Sequence, residues 1–152
     1  MAGAAIMNIK SATKLDAEII AELNFQLIQD EGSNNPMNLV QLQDRILDWL
    51  GSGWSIDLLL AEEKIIGYAV YKLQPAPFEE TELEVYIRQF YIDRNERNKG
   101  YGRGGINILK ERRFGNVSTM IIDVLETNPE GRRFWEKVGF VPYYTNMRKP
   151  LH

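Results

Sequence analysis

Apolar residues recur at helical spacing in two segments of the N-terminal third. Residues 14–29 carry an apolar side chain at every third or fourth position, and residues 39–50 repeat the pattern up to Gly51. Because this spacing places apolar side chains on one face of a helix, both segments are predicted to be amphipathic helices. Residues 32–36 read Gly-Ser-Asn-Asn-Pro and predict a break between them. The short run 7–13 before the first helix predicts an edge strand.

The next part of the chain is typical of β-strands. Residues 56–61 and 65–73 are apolar and rich in branched side chains, and the polar residues 62–64 between them predict an antiparallel hairpin. Pro75 and Pro77 indicate a loop, after which residues 82–92 read as one long strand. Within it, alternation ends at Ile87 and resumes three positions later at Phe90. This odd step predicts a β-bulge near Arg88 and Gln89, unless the strand ends at Ile87.

The last part alternates between helices and strands. The pattern predicts a helix over residues 100–114, a strand over 117–125, a helix over 129–138 capped by Asn128, and a closing strand over 140–147. No repeat or linker interrupts the chain, so residues 1–152 are predicted to form one domain. The fold class is α/β (α+β), a mixed, mostly antiparallel sheet of about six to seven strands flanked by about four helices.

Composition removes several kinds of chemistry. The chain of 152 residues has no cysteine, and its only histidine is His152. Disulfides, thiolate metal sites, cysteine nucleophiles and Ser-His-Asp triads are therefore excluded. Catalysis is expected to use carboxylates, tyrosines, water and backbone groups, without a metal. No apolar run is long enough to cross a bilayer and no basic secretory leader is visible, so we expect a cytoplasmic protein.

Charge is distributed unevenly along the chain. Residues 1–93 carry 6 Lys and Arg against 15 Asp and Glu, and residues 94–152 carry 12 against 6. This division favours an anionic ligand for the second part and a cationic one for the first, unless solvated faces merely differ in sign. A nucleic-acid binder using the basic run 94–113 is the less favoured interpretation, because the whole chain is acidic with a pI of about 5.3.

Residues 93–105 carry the clearest local signal, a glycine-rich turn that leads from a strand into a helix. Glycines let a backbone approach a ligand closely, and the first turn of a helix presents unpaired N–H groups to an anion. Tyr101 follows Gly100 where a nucleotide P-loop requires lysine, and the antiparallel context disfavours a dinucleotide fold. The segment therefore predicts a phosphate-binding loop surrounded by the cations Arg94, Arg97, Lys99 and Arg103.

Residues 97–102, which read Arg-Asn-Lys-Gly-Tyr-Gly, resemble the Gln/Arg-x-x-Gly-x-Gly/Ala signature of the GNAT superfamily of acyl-CoA N-acyltransferases. Residues 128–140 are similar to a second motif of the family, Asn-x-x-Ala-x-x-Phe-Tyr-x-x-x-Gly-Phe. The resemblance implies an N-acetyltransferase that uses acetyl-CoA as cosubstrate and acetylates a primary amine without a covalent enzyme intermediate. The cofactor-binding residues that it implies are Phe90, Tyr91, Ile92, Arg97, Asn98, Lys99, Gly100, Tyr101, Gly102, Arg103, Asn128 and Trp135.

Two residues depart from the family pattern. Gly131 stands at the usual alanine, and Trp135 stands where many members have the tyrosine proposed to protonate the leaving thiolate. An indole N–H is not a practical proton source. A non-catalytic acyl-CoA sensor therefore stays open as an alternative.

The catalytic groups are weakly encoded. Glu84 is the preferred general base and Tyr143 the preferred acid, with Glu82, Tyr86, Tyr144 and water as alternatives. Residues 79–84 contain four glutamates, which suit a cationic amine acceptor but equally suit a solvated loop. The expected partners are acetyl-CoA and an amine-bearing acceptor, with no nucleic acid and no membrane. A homodimer is left open.

Overall fold

The computed structural model describes residues 6–152. Five strands form one sheet in the order β1-β2-β3-β4-β5, and only the last pair is parallel. The strands are β1 (Met7–Ser11), β2 (Ser55–Ala61), β3 (Lys64–Ala76), β4 (Glu79–Ile92) and β5 (Val117–Ile121). The helices are α1 (Ala17–Asp30), α2 (Leu39–Gly51), α3 (Tyr101–Arg112) and α4 (Pro129–Lys137). The mixed α/β fold class is confirmed.

The helices cover both faces of the sheet. One apolar core lies between α1, α2 and the face that carries Leu58, Tyr68 and Val70. The second lies under α3, against the opposite face with Leu59, Ala69 and Val85. Neighbouring strand residues enter different cores because successive side chains point to opposite faces of a sheet. Helix α4 buries none of its residues and adds little to either core.

The bulge predicted in β4 is present. Val70 of β3 pairs with Gln89, whereas the next residue, Tyr71, pairs with Ile87, so Arg88 is the extra residue. The predicted turn at Glu62 and Glu63 also forms, because both residues adopt positive φ angles between β2 and β3. Local phase and turn chemistry therefore identified both irregularities.

The strand count is lower than predicted. Within residues 6–152 the sheet has five strands, because residues 140–147 form no strand. In addition, β5 is shorter than predicted and ends at Ile121 rather than at residue 125. The apolar residues of segment 140–147 wrongly predicted a strand, because a strand also requires a neighbouring strand with which to pair. Pro142 has no N–H to donate to a ladder, and the side chains of Val141 and Tyr143 are 81% and 90% exposed.

The hairpin of β3 and β4 is longer than predicted. The expected loop at Pro75 and Pro77 shrinks to a turn, because β3 runs to Ala76 and β4 begins at Glu79. In the part of the chain that the structure describes, no helix has the length and apolar character needed to cross a membrane.

Candidate active site

Strand β4 separates from β5, the last strand of the sheet, partway along its length. The parallel pairing runs from Leu83 to Tyr86, whose partner is Ile121, and stops there. On its other edge β4 stays paired with β3 as far as Ile92. The β5-side edge of residues 87–92 is thus without a neighbouring strand in the described sheet. Main-chain groups that point to this edge are available to a ligand.

A tight loop connects this open edge to α3. Asn98 and Gly100 both have positive φ angles, of 64° and 81°, which turn the chain into the helix. Helix α3 has no side-chain cap, and its first internal hydrogen bond runs from Gly104 N to Gly100 O at 3.0 Å. The N–H groups of its first turn therefore have no helical acceptors and carry the positive end of the helix dipole. An anion fits here.

Gly100 and Gly102 need to be glycine for different reasons. A Cβ at Gly100 would meet no protein atom within 4 Å, so its surface is open to a ligand. A Cβ at Gly102 would lie 2.7 Å from Cε1 of Phe134 in α4. This corrects the reason expected for Gly102, because its missing side chain makes room for the Phe134 ring rather than for a ligand.

Arg97 is held by an aspartate at the C-terminal end of α1. Its Nη2 donates to Asp30 Oδ2 at 2.9 Å, and its Nε donates to the Ile92 carbonyl oxygen at 3.1 Å. Arg94 and the Tyr91 hydroxyl donate to the same carboxylate at 2.8 and 2.6 Å. This cluster joins α1 to the strand and loop that precede α3.

The cluster also sets the protonation of its members. Burial acts to raise the pKa of the Asp30 carboxyl, but the hydrogen bond from Tyr91 and the charges of Arg94 and Arg97 outweigh it, so the pKa lies below the usual 3.8. Burial and the Asp30 hydrogen bond raise the pKa of the Tyr91 phenol well above its usual range. Tyr91 therefore keeps its proton and serves as a donor.

The other cations of the loop also have protein partners. Lys99 Nζ donates to Glu96 Oε2 at 2.9 Å, and Lys64 pairs with the other oxygen of that carboxylate at 2.8 Å. Arg103, an exposed residue of α3, donates to the Lys137 carbonyl oxygen in α4 at 3.3 Å. The backbone of residues 100–103 consequently offers the less encumbered donors for an anion.

Aromatic side chains from β4 and α4 pack together beside the open edge. The Trp135 ring lies 5.6 Å from Phe90, 4.9 Å from Phe134 and 5.1 Å from Phe140, measured between centroids and close to edge-to-face. Such geometry favours aromatic pairs beyond the area they bury. Trp135 thus has a packing role that explains its presence without any proton transfer.

Asn128 caps α4, as the sequence predicted. Its Oδ1 accepts a hydrogen bond from Gly131 N at 3.0 Å, and Pro129 occupies the first turn. A Cβ on Gly131 would collide with the Asn128 side chain. In this chain the placement of the Asn128 side chain leaves no room for a Cβ at position 131.

The two proposed catalytic side chains lie in different surroundings. Glu84 is on β4, two residues before the pairing with β5 ends, and is only 9% exposed. Tyr143 lies in the C-terminal segment with its ring against Tyr144. No hydrogen bond joins Tyr143 to Glu84 within residues 6–152, and the role of each residue stays a prediction.

Tyr86 has a partner that the sequence did not suggest. Its hydroxyl donates to Asp123 Oδ2 at 2.6 Å, just beyond the end of β5. Burial, reinforced by the Asp123 hydrogen bond and charge, raises the pKa of Tyr86 to about 12. Asp30 and Asp123 were both missed, and the only local signal for either was an acidic residue at or just after the end of an element.

A cavity of about 320 Å³ opens beside the loop, between α3 and β1. It is lined by Lys99, Gly100 and Tyr101 together with Met7 and one side of α3. Phe90, Tyr91 and Ile92 do not line it. The cavity and the open edge of β4 are therefore separate parts of the surface near Gly100.

Comparison with known proteins identifies relatives of this arrangement. The model of the Acetyltransferase (GNAT) family matches residues 20–140, while no curated protein matches the sequence. A mutant of the BH1408 protein from Bacillus halodurans has a similar structure, with a TM-score of 0.77, 26% identity and coverage of 95% of this chain and 99% of that one.

Two further solved structures share the fold. A predicted acetyltransferase from Clostridium acetobutylicum, solved with acetyl-CoA, gives a TM-score of 0.71 at 18% identity, with 96% and 97% of the two chains covered. Ribosomal-protein-alanine N-acetyltransferase from Brucella melitensis biovar Abortus 2308 gives 0.75 at 14% identity, with 97% and 100% covered.

Proposed function

This chain belongs to the acetyltransferase (GNAT) family and is an acyltransferase, and on that premise we propose that it transfers the acetyl group of acetyl-CoA directly to a primary amine. One observation carries the proposal. The same strand that parts from β5 after Tyr86 leads, through Gly100, into the uncapped N-terminus of α3. An edge for a thioester and a cradle for a diphosphate thus lie on one continuous segment.

The diphosphate end of coenzyme A is assigned to the start of α3. Gly100 has open space where a side chain would stand, and the first-turn N–H groups have no internal acceptors. Together they suit phosphate oxygens through directed donors and the helix dipole. Arg97 and Lys99 supply positive potential, and each would have to leave or share its carboxylate to touch the phosphates directly.

The acetyl thioester is assigned to the open edge of β4 at Phe90, Tyr91 and Ile92. Attack on a thioester carbonyl creates an oxyanion, and a fixed backbone N–H that donates to it contributes roughly 3–4 kcal/mol to transition-state stabilisation. Pairing with β3 holds this part of β4 in place while leaving the opposite edge free. The donors are therefore positioned before the substrate arrives.

The transfer needs a base and an acid. The amine nitrogen attacks the acetyl carbon, the C–N bond forms, and the C–S bond breaks to release coenzyme A as a thiolate. Glu84 is the proposed base, acting through water on the ammonium of the acceptor. Tyr143, an exposed residue of the C-terminal segment, is the proposed acid toward the thiolate. Trp135 packs against the cofactor side without donating a proton.

Three broader expectations accompany this function. We propose that residues 1–152 act as one N-acetyltransferase domain. The cytoplasmic location stays a prediction. A homodimer stays open.

The test combines binding and turnover. Calorimetric titration measures coenzyme A affinity, and thiol release from acetyl-CoA is followed across a panel of amines. Glu84→Gln is expected to lower kcat about 100-fold or more with acetyl-CoA affinity unchanged. Glu80→Gln, which alters an exposed glutamate at the far end of the same hairpin, is the matched control.

Three outcomes separate the parts of the proposal. Coenzyme A binding without thiol release from any amine would contradict amine acetylation. Full activity in Glu84→Gln would remove Glu84 as the base but leave the function intact. Equal losses in both glutamate variants would mean that the charge of the hairpin, rather than a proton transfer, is responsible.

A further inference from the structure

Two arginines lie against the same tryptophan on the α1–α2 face of the sheet. The Cζ atom of Arg45, in α2, is 4.5 Å from the Trp49 ring centroid, and that of Arg88, in β4, is 5.0 Å from it. Arg88 also lies 5.3 Å from the Trp54 ring, which is 6.5 Å from Trp49. We call these four side chains the arginine patch. Stacking on an indole fixes the plane of a guanidinium and leaves its N–H edges free.

Neither arginine of the patch has a carboxylate partner in the described part of the chain. None of the ion pairs formed among residues 6–152 includes Arg45 or Arg88. Four other arginines, by contrast, form ion pairs with carboxylates within residues 6–152. These are Arg94, Arg97, Arg113 and Arg132. The two guanidinium groups share one tryptophan without a carboxylate between them, so an anion from outside the chain would be attracted to them.

Buried donors beside Arg45 support this interpretation. Arg45 Nη2 donates to Asn24 Oδ1 at 2.9 Å, and Asn24 is completely buried. The Asn24 Nδ2 and Arg45 Nε atoms are also buried but have no acceptor among the residues that the structure describes. An unsatisfied buried donor normally costs stability, so its presence in a native fold requires an explanation. Both atoms are enclosed by protein, so Asn24 anchors Arg45 through Nη2 and leaves Nη1 as the donor available to an anionic ligand.

The direction of the Arg45 pKa shift is consistent with an excess of positive charge at the patch. Burial first, and then the charge of Arg88, hold the pKa of the Arg45 guanidinium below its usual range. Glu31 and Tyr68 act in the opposite direction, but Glu31 takes part in none of the ion pairs within residues 6–152. Lys72, at 4.5 Å from the Trp54 ring, adds a third cation on this face. The local charge is therefore positive, because Glu31 is a single anion beside the three cations Arg45, Arg88 and Lys72.

The patch borders the place where the acceptor must enter. Arg88 is the bulged residue of β4, and the Trp54 ring lies 6.2 Å from that of Tyr86, the last residue paired with β5. The Asp123 carboxylate lies at the same point, since it accepts a hydrogen bond from Tyr86, and Glu84 precedes Tyr86 by two residues on β4. Opposite charges thus flank the opening of the sheet.

We propose, resting on the function above, that the arginine patch binds a carboxylate carried by the acceptor, so that the acetylated amine is an amino-acid-like zwitterion. The Nη1 group of Arg45 and the planar edge of Arg88 supply donors to the two oxygens of a carboxylate. The ammonium of the same molecule faces the acidic side of the opening, toward Glu84. The acidic residues alone would favour a simple polyamine, but the positive charges of the arginine patch would repel it.

Coenzyme A is the alternative occupant, since its phosphates are also anionic. The patch lies on the α1–α2 face, whereas the first turn of α3 lies on the opposite face of the sheet, beside the second core. The two assignments give different results in binding experiments. If the patch held a coenzyme A phosphate, loss of Arg88 would weaken coenzyme A binding.

The experiment compares each amine with and without its carboxylate. Free amino acids are assayed beside their amides, their decarboxylated amines and short peptides, with acetyl-CoA held constant. The wild type is expected to prefer the free carboxylate by about ten-fold or more in kcat/KM. Arg88→Gln and Arg45→Gln are expected to remove most of this preference through KM, and peptides reveal whether a C-terminal carboxylate serves as well.

Arg133→Gln is the matched control, because Arg133 is an exposed arginine on α4 that stacks on neither Trp49 nor Trp54. It should retain the wild-type preference. Coenzyme A affinity, measured by calorimetry, should be unchanged in the patch variants. Equal kcat/KM for acid and amide in the wild type, or weakened coenzyme A binding in Arg88→Gln, would overturn the proposal.

A failure of catalysis is distinguished from a failure of the site by a binding measurement. If no amine is acetylated, the same carboxylates are titrated into the coenzyme A complex while tryptophan fluorescence is recorded. Binding that is lost in Arg88→Gln would support the carboxylate site although the enzymatic function had failed. Absence of binding by every carboxylate would refute the site.

Discussion

Substitution of Gly100 by alanine tests the diphosphate cradle with the smallest possible change. Gly100 has a φ of 81°, and a methyl group added there would have no protein atom within 4 Å. The methyl group therefore creates no clash inside the protein. Any effect must come from the left-handed backbone or from a ligand placed against it.

The left-handed backbone determines the cost in stability. This conformation costs a non-glycine residue roughly 1–2 kcal/mol, and the reduced entropy of the unfolded chain returns about 0.4–1 kcal/mol. The expected loss in free energy of unfolding is about 1 kcal/mol, equivalent to a fall of about 3 °C in Tm. Urea unfolding measures it.

Gly53 supplies the control. Its φ is 91°, and a Cβ there would meet only Lys72 Cε at 4.0 Å, on the turn between α2 and β2. Gly53→Ala should lose about the same stability as Gly100→Ala, because the strain has the same origin. Only Gly100→Ala should lose affinity for coenzyme A.

The loss of affinity follows from displaced hydrogen bonds. A methyl group between the loop and a phosphate pushes away at least one charge-assisted bond, worth about 1.5–3 kcal/mol. This corresponds to roughly a ten- to hundred-fold rise in Kd, measured by calorimetric titration with coenzyme A. If both variants bound coenzyme A as tightly as the wild type, the diphosphate would not lie against Gly100.

Three further substitutions test other parts of the structure. Trp135→Phe should keep turnover within about two-fold and lose about 1 kcal/mol in urea unfolding, because the ring packs edge-to-face with its neighbours; a large fall in kcat with binding intact would contradict this. Asp30→Asn should be less stable than the wild type at neutral pH. Because the folded pKa of Asp30 lies below 3.8, its stabilisation is present above that pH and is lost on acidification, so the gap should shrink toward about pH 3; a constant gap would exclude a role for the charge. Arg113→Met leaves the buried Asp57 carboxylate with only a tyrosine hydroxyl and should cost about 3 kcal/mol in chemical denaturation; a loss under about 1 kcal/mol would show that the ion pair does not stabilise the fold.

Features that depend on neighbouring residues could be predicted from the sequence. The four helices, the hairpin turn at Glu62 and Glu63 and the bulge at Arg88 all follow from local spacing or turn chemistry. The loop before α3 is likewise a contiguous segment whose glycine at position 100 is needed for its own φ angle. The family could be inferred because both of its motifs are contiguous.

Features that depend on residues distant in the sequence could not be predicted from it. Nothing local indicates that Arg97 binds Asp30, which lies 67 positions earlier, or that Gly102 makes room for the Phe134 ring. The prediction of a closing strand over residues 140–147 was wrong for the same reason, because a strand forms only where the edge of another strand accepts its hydrogen bonds.

The contrast is sharpest around β4. Sequence phase alone located the extra residue at Arg88, because side chains in a strand alternate with a period of two and one inserted residue reverses their faces. Only the folded chain decided that this arginine meets Trp49 and Arg45 from a helix more than thirty residues away. Backbone conformation responds mainly to adjacent residues, whereas the partners of a charge are determined by how the elements pack.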